Sequence, residues 1–157
     1  MRPRRAARSL IRHTSHSVGP ADDRSTGRDR YDLGRDEARG GHALERHVGR
    51  SDDELEDRLK RQPRVSAAST YTDRATAEHV VAQTLVRSRG RIDSWLDRAG
   101  NRPNLVLAYN GTSGQSIGRS LRRGSRSAVA YSDALVILRW DRGRRFYVLT
   151  SYPEVRR

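Results

Sequence analysis

Apolar positions recur with a helical period through the middle of the chain and with a period of two over its last third. Ser51-Asp-Asp-Glu54 reads as a capping box: the Ser51 hydroxyl takes a free backbone N–H and Glu54 reaches back. Leu55 and Leu59, four apart, supply an apolar stripe, and Pro63 ends the segment. A second helix is predicted from Thr72 or Asp73. Its Ala77, Val80, Val81, Thr84 and Leu85 share one face at the i, i+3, i+4, i+7, i+8 spacing. A third, Arg91 to Ala99, presents Ile92, Trp95 and Leu96, with Gly100 as its stop.

Beyond Pro103 the reading changes to strands: Leu105–Tyr109, roughly Ala128–Trp140, and Arg145–Ser151, rich in Val, Ile, Leu and Tyr. Asp141-Arg-Gly-Arg144 fits a hairpin connection between the last two. Helices first and strands afterwards predict an α+β domain, with Trp95, Trp140 and Phe146 as its larger core members.

Residues 1–40 follow neither period. They hold ten Arg and six acidic residues among scattered apolar positions, and read as a disordered, Arg-rich N-terminal arm. The first residues have the positive end of a signal peptide without an apolar region after it, so neither a simple cleavable signal nor a twin-arginine signal is expected. Residues 41–157 are then the folded domain, long enough for one core.

Composition narrows the function classes. The 157 residues carry 32 Lys+Arg against 19 Asp+Glu, a formal net charge of +13, and all the basic residues but Lys60 are Arg. Such a field attracts polyanions: nucleic acid, anionic lipid or an acidic protein. No apolar run approaches the roughly 18 residues of a membrane span, so membrane insertion is not expected. Cysteine is absent, which excludes disulfides, a thiolate nucleophile and a Cys-based zinc site.

Several chemistries find no support. The Gly-rich stretch Asn110–Arg119 lacks the Gly-Lys-Ser/Thr ending of a phosphate loop, and reads better as a connection between strands. Gln115, Arg119, Arg122 and Arg123 are candidates for a groove that tracks a nucleic-acid backbone. His42 and His47 are five apart, which misses the helical zinc spacing, and Glu45 does not restore it. No nucleophile elbow supports a Ser/His/Asp hydrolase, and nothing favours a glycosidase pair of carboxylates. What remains is His47, Arg58 eleven residues later, and Thr150-Ser-Tyr-Pro153, whose Thr150 and Tyr152 alternate onto one strand face. Each also has a purely structural reading: a helix-end His, a solvated Arg, a core aromatic with a wet tip.

The run His42–Gly49, then Arg58-Leu59, Ser66–Asp73, Ala77-Glu78 and Phe146–Pro153 resembles the bacterial RNase A-like toxin domain. That domain sits at the C-terminal tips of contact-dependent growth inhibition proteins and other polymorphic toxins. The resemblance spans roughly residues 41–155 and leaves the arm uncovered. It implies a kidney-shaped α+β ribonuclease fold without disulfides and an RNA-cleaving activity that needs no metal or other cofactor. It also implies a cognate immunity protein, expected to be acidic, that blocks the active site. The expected place of action is the cytoplasm of a target cell, reached as part of a larger toxin through a specialised secretion system.

Carried over by position, the family's active-site residues correspond to His47, Arg58, Thr150 and Tyr152, and His42 matches a second motif position, read here as substrate-binding with Gln115, Arg119 and Arg122. These residue types suit attack of a ribose 2′-OH on the adjacent phosphorus, which leaves a 2′,3′-cyclic phosphate. An imidazole exchanges protons near neutral pH. The guanidinium offers a planar fork to the phosphorane oxygens. His47 is then the expected base and Tyr152 the expected acid, with tRNA or single-stranded RNA as substrate. The alternative is a non-catalytic Arg-rich RNA-binding module of the same fold.

Overall fold

Capping and helical periodicity act as the sequence suggests. A computed structural model describes residues 30–154. Ser51 Oγ accepts the Glu54 N–H at 3.2 Å while the Glu54 carboxylate accepts the Ser51 N–H at 2.8 Å. This starts helix α3 (Asp52–Arg61), preceded by two short helices, α1 (Leu33–Glu37) and α2 (Ala43–His47). Asp73 caps α4 (Arg74–Arg87), whose Ala77, Val80, Val81 and Thr84 are buried. Helix α5 (Arg89–Leu96) buries Ile92, Trp95 and Leu96.

Among the described residues, six strands complete an α+β fold: β1 (Ala67–Tyr71), β2 (Leu105–Tyr109), β3 (Gly118–Arg122), β4 (Val129–Tyr131), β5 (Ala134–Arg142) and β6 (Arg145–Pro153). They form two antiparallel three-stranded sheets, ordered β1-β3-β4 and β2-β5-β6. The hairpin expected at Asp141–Arg144 joins β5 to β6, with Gly143 at a φ of 55°.

Four expectations need correction. Helices do not all precede strands, because β1 lies between α3 and α4; its near-continuous burial leaves no period-two alternation to read. The stretch read as one strand over 128–140 is two, β4 and β5, which belong to different sheets. The chain changes sheets at Ser132-Asp133, where the Asp133 carboxylate accepts the Gly111 N–H at 2.9 Å and its carbonyl accepts the Glu154 N–H at 3.0 Å. Trp95 is buried, but Trp140 and Phe146 only flank the core, whose largest fully buried side chain is Tyr71. Tyr71 Oη shares a 2.6 Å hydrogen bond with Ser151 Oγ, which satisfies both buried hydroxyls.

The fourth correction concerns the arm. Residues 30–40, read with it, pack against the domain. Leu33 is fully buried, its N–H donates to Glu78 at 3.2 Å, and Asp32 pairs with Arg74 at 3.0 Å. Too few apolar positions fall here to show a period, so one buried leucine carries the docking. The rest of that arm, residues 1–29, lies outside the described residues.

One irregularity in the second sheet matters for the site. Ile137 pairs with Thr150 and the next residue, Leu138, with Val148, so Leu149 is an extra residue in β6. The backbone groups displaced from the ladder find partners upstream. The Val148 N–H goes to the buried Asp36 carboxylate, and the Leu149 carbonyl accepts the His42 N–H at 2.9 Å. Gly41 is needed between them, since a Cβ there would stand 2.6 Å from the Val148 carbonyl oxygen.

Candidate active site

Helix α2 ends at His47, and the chain then turns through Gly49, at a φ of 63°, to lie beside β1. The Gly49 N–H donates to the Tyr71 carbonyl at 3.1 Å and the Arg50 N–H to Thr70 Oγ1 at 2.9 Å. These bonds hold the His47 ring over β1, where Nδ1 lies 3.0 Å from the Ser69 carbonyl oxygen. A carbonyl only accepts, so Nδ1 carries the hydrogen and Nε2 keeps its lone pair. Arg58 on α3 comes within 3.5 Å of the same Nδ1 and donates to the Arg46 carbonyl at 3.3 Å.

Electrostatics keep this imidazole neutral. Burial is the main cause, opposed by the bond to Ser69 and reinforced by the Arg58 charge, and together they push His47 down to about 3. A buried His beside a guanidinium is a free base at every physiological pH. His42, less buried, is also shifted down, first by desolvation and then by Arg46 and Arg58. Arg58 is itself lowered by burial and by Arg46.

The other two residues arrive on β6. The Leu149 bulge is followed by Thr150, 8% exposed, whose Oγ1 is buried without a hydrogen-bond partner among the described residues. Tyr152, two residues on, sets its ring 5.1 Å from the His47 ring at a 32° tilt. Burial and the nearby Glu154 raise the Tyr152 phenol above its ordinary value, so it holds its proton at neutral pH. His42, His47, Arg58, Thr150 and Tyr152 together line one cavity of about 320 Å³. An acceptor, a half-buried positive charge, a lone hydroxyl and a protonated phenol in one cleft can bind a phosphodiester and move protons on it.

The remaining candidates fare differently. Gln115 is exposed in the loop before β3 and does not line this cavity. Arg119 lies in β3, not in a loop, and is engaged by Asp52 at 2.6 Å and the Arg50 carbonyl at 2.8 Å. Arg123 binds the Leu59, Gln62 and Val65 carbonyls and so closes the end of α3. Both are structural staples, because unpaired carbonyls at a helix end and an acidic helix start outcompete solvent for a guanidinium. Arg122 lines a second cavity next to the first. Ser69, which sets the His47 tautomer through its backbone, was not legible, since any residue type supplies a carbonyl.

Comparison with known proteins bears on the family and the fold. A model of the bacterial CdiA-CT RNAse A domain matches residues 41–153. A crystal structure of a CdiA-CT/CdiI complex from Y. kristensenii 33638 contains a similar chain, at 32% sequence identity and a TM-score of 0.64, covering 73% of this chain and 100% of that one. No curated protein matches the sequence. With a family model spanning most of its length, the chain belongs to the bacterial CdiA-CT RNAse A domain family of contact-dependent growth inhibition toxins.

Proposed function

We propose that the chain is an endoribonuclease toxin that cuts RNA, with tRNA or single-stranded RNA as its target, by metal-independent 2′-OH transesterification. The observation that carries this reading is the buried, unpartnered Thr150 hydroxyl in the same cavity as a neutral imidazole and a guanidinium. An isolated buried hydroxyl costs stability, and a phosphate oxygen of a bound substrate supplies its missing partner.

In the proposed reaction His47 Nε2 takes the proton of the ribose 2′-OH, the O2′–P bond forms and the P–O5′ bond breaks. Tyr152 Oη gives its proton to the leaving 5′-oxygen. Arg58 and Thr150 bind the phosphorane oxygens as their charge grows. The products are a 2′,3′-cyclic phosphate and a 5′-hydroxyl. The imidazolium and phenolate left behind face each other across neighbouring rings, so one proton transfer resets the pair. His42 holds the RNA at the mouth of the cavity.

The biological setting follows the family. The toxin reaches the cytoplasm of a target cell as part of a larger protein, and a cognate acidic immunity protein neutralises it in the producer. The solved relative's complex with CdiI and the +13 charge of this chain both support such a partner.

The test is cleavage of total tRNA and of single-stranded RNA in EDTA, with product ends identified. His47→Ala is expected to lose about 10²–10⁴-fold in rate. Thr150→Val is expected to lower kcat/KM while leaving the unfolding midpoint unchanged or raised. Retention of activity within about threefold by His47→Ala, against the usual loss for an acid or base, or a requirement for added Mg²⁺, overturns the reading.

A further inference from the structure

The cavity beside the active site has no role in the proton transfers. It measures about 320 Å³ and shares Ser66, Ala67 and Glu154 with the cleft that holds His47, so the two adjoin. Antiparallel pairing explains its shape. Ala67 lies opposite Arg122 and Ser69 opposite Ser120 across β1 and β3, while Gly118 faces Tyr131 across β3 and β4. Residues paired in this way share a sheet face. The floor is therefore made of small side chains, with Arg122, Tyr131 and Glu154 as its larger borders.

The polar groups of the floor are already satisfied. Ser69 Oγ donates to Ser120 Oγ at 2.9 Å, and Ser120 Oγ lies 3.4 Å from the Ala68 carbonyl. The borders are not. Among the described residues neither the Glu154 carboxylate nor the Arg122 guanidinium has a hydrogen-bonding or ion-pair partner on another side chain, although Glu154 is only partly exposed. A slot with an aromatic edge, and with a carboxylate and a guanidinium that no other described side chain engages, beside a candidate phosphodiester site, has the chemistry of a nucleobase seat.

We propose that this slot receives the base next to the scissile phosphate and that it selects guanine. The inference rests on reading the neighbouring cleft as RNA-cleaving. A carboxylate offers two acceptor oxygens and no donor. Guanine alone presents two adjacent donors, N1–H and N2–H, on its Watson–Crick edge, with the O6 acceptor beside them for a guanidinium. Adenine and cytosine each pair one donor with an acceptor, and uracil flanks its single N–H with two acceptors, which a carboxylate repels. Tyr131 supplies the ring on which the base stacks. Glu154 also lies close enough to Tyr152 to act on its phenol, which puts the carboxylate at the junction of base and phosphate.

The experiment uses the full chain and short single-stranded RNAs that differ at one position: guanosine, inosine, adenosine, cytidine or uridine. Inosine deletes the N2 amino group and nothing else. Cleavage is expected to favour guanosine over inosine by about tenfold, the usual effect of one hydrogen bond to a charged group. In Glu154→Gln, with its fold checked by circular dichroism, that ratio is expected to fall to within about twofold, since one acceptor has become a donor. A guanosine-to-inosine ratio near one in the parent, or a ratio unchanged in Glu154→Gln, overturns the proposal. Equal cutting of all five RNAs that still depends on His47 rejects the guanine seat alone. If nothing is cut, the cleavage reading fails, and binding of the same series with 2′-O-methyl nucleotides still decides whether the slot prefers guanine.

Discussion

His47 shows how a residue's neighbours set its chemistry. Its protonated form is destabilised first by burial, so the folded value, pushed down to about 3, lies well below that of a free imidazole. The base-competent neutral form therefore persists as the solution is acidified. kcat/KM, which reports the free enzyme, is expected to hold nearly constant from pH 7 to pH 5 as far as His47 is concerned. An ordinary imidazole would lose about 25-fold over that range. A bound phosphodiester places negative charge beside the ring and raises its value, so the acid limb of kcat should lie at higher pH than that of kcat/KM. A kcat/KM profile falling with a midpoint near 6.5 would show that His47 is solvated as a free side chain is. The residues of this site were legible because motif spacing survives without any knowledge of contacts. Their states were not: a carbonyl bond from Ser69 and the closeness of Arg58 exist only once α2, α3 and β1 meet.

At the scale of elements, legibility tracked periodicity. The capping box at Ser51 and the five-residue stripe of α4 announce themselves, because amphipathic burial repeats along the sequence. Strand β1, buried at four of its five positions, and α1, which depends on Leu33 and Asp36, leave no repeating pattern. Yet α1 supports the site, since Asp36 holds the Val148 N–H beside the bulge and accepts from Tyr31 Oη at 2.6 Å. Leu33→Ala is expected to destabilise the domain by about 2–5 kcal/mol, the range for emptying a fully buried leucine site. Denaturant unfolding measures it. A loss under about 1 kcal/mol, below the range for a buried leucine, would mean that residues 30–40 are not part of the folded unit.

For the whole molecule, the surplus charge overstates what RNA meets. Arg39, Arg74, Arg119 and Arg144 are each paired with acidic side chains, and Arg123 is bound to carbonyls. Arg58 instead opens on the His47 cavity and on a groove between α2 and α3 that also includes Arg46, Arg50 and Arg61. Binding of a 2′-O-methyl RNA should therefore lose about 0.7 from its log–log salt slope in Arg58→Ala. Arg119→Ala should keep the slope and lower the unfolding midpoint instead. Equal slope changes in the two variants would mean that RNA is held by net charge rather than by a defined track. These arginines could not be sorted from sequence, because a guanidinium that clamps a helix and one left open to a ligand are the same letter.

The extra residue at Leu149 has an evolutionary consequence. Deleting it would leave the hydroxyl and the phenol opposite their present partners and tidy this part of the ladder, yet it would strip the His42 N–H of its acceptor and loosen the chain that leads to the imidazole. Selection for robustness alone would erase such a defect. If the proposed chemistry holds, a lineage that retains it is retaining the support of the cleft, and one that loses it keeps the fold at the expense of the activity.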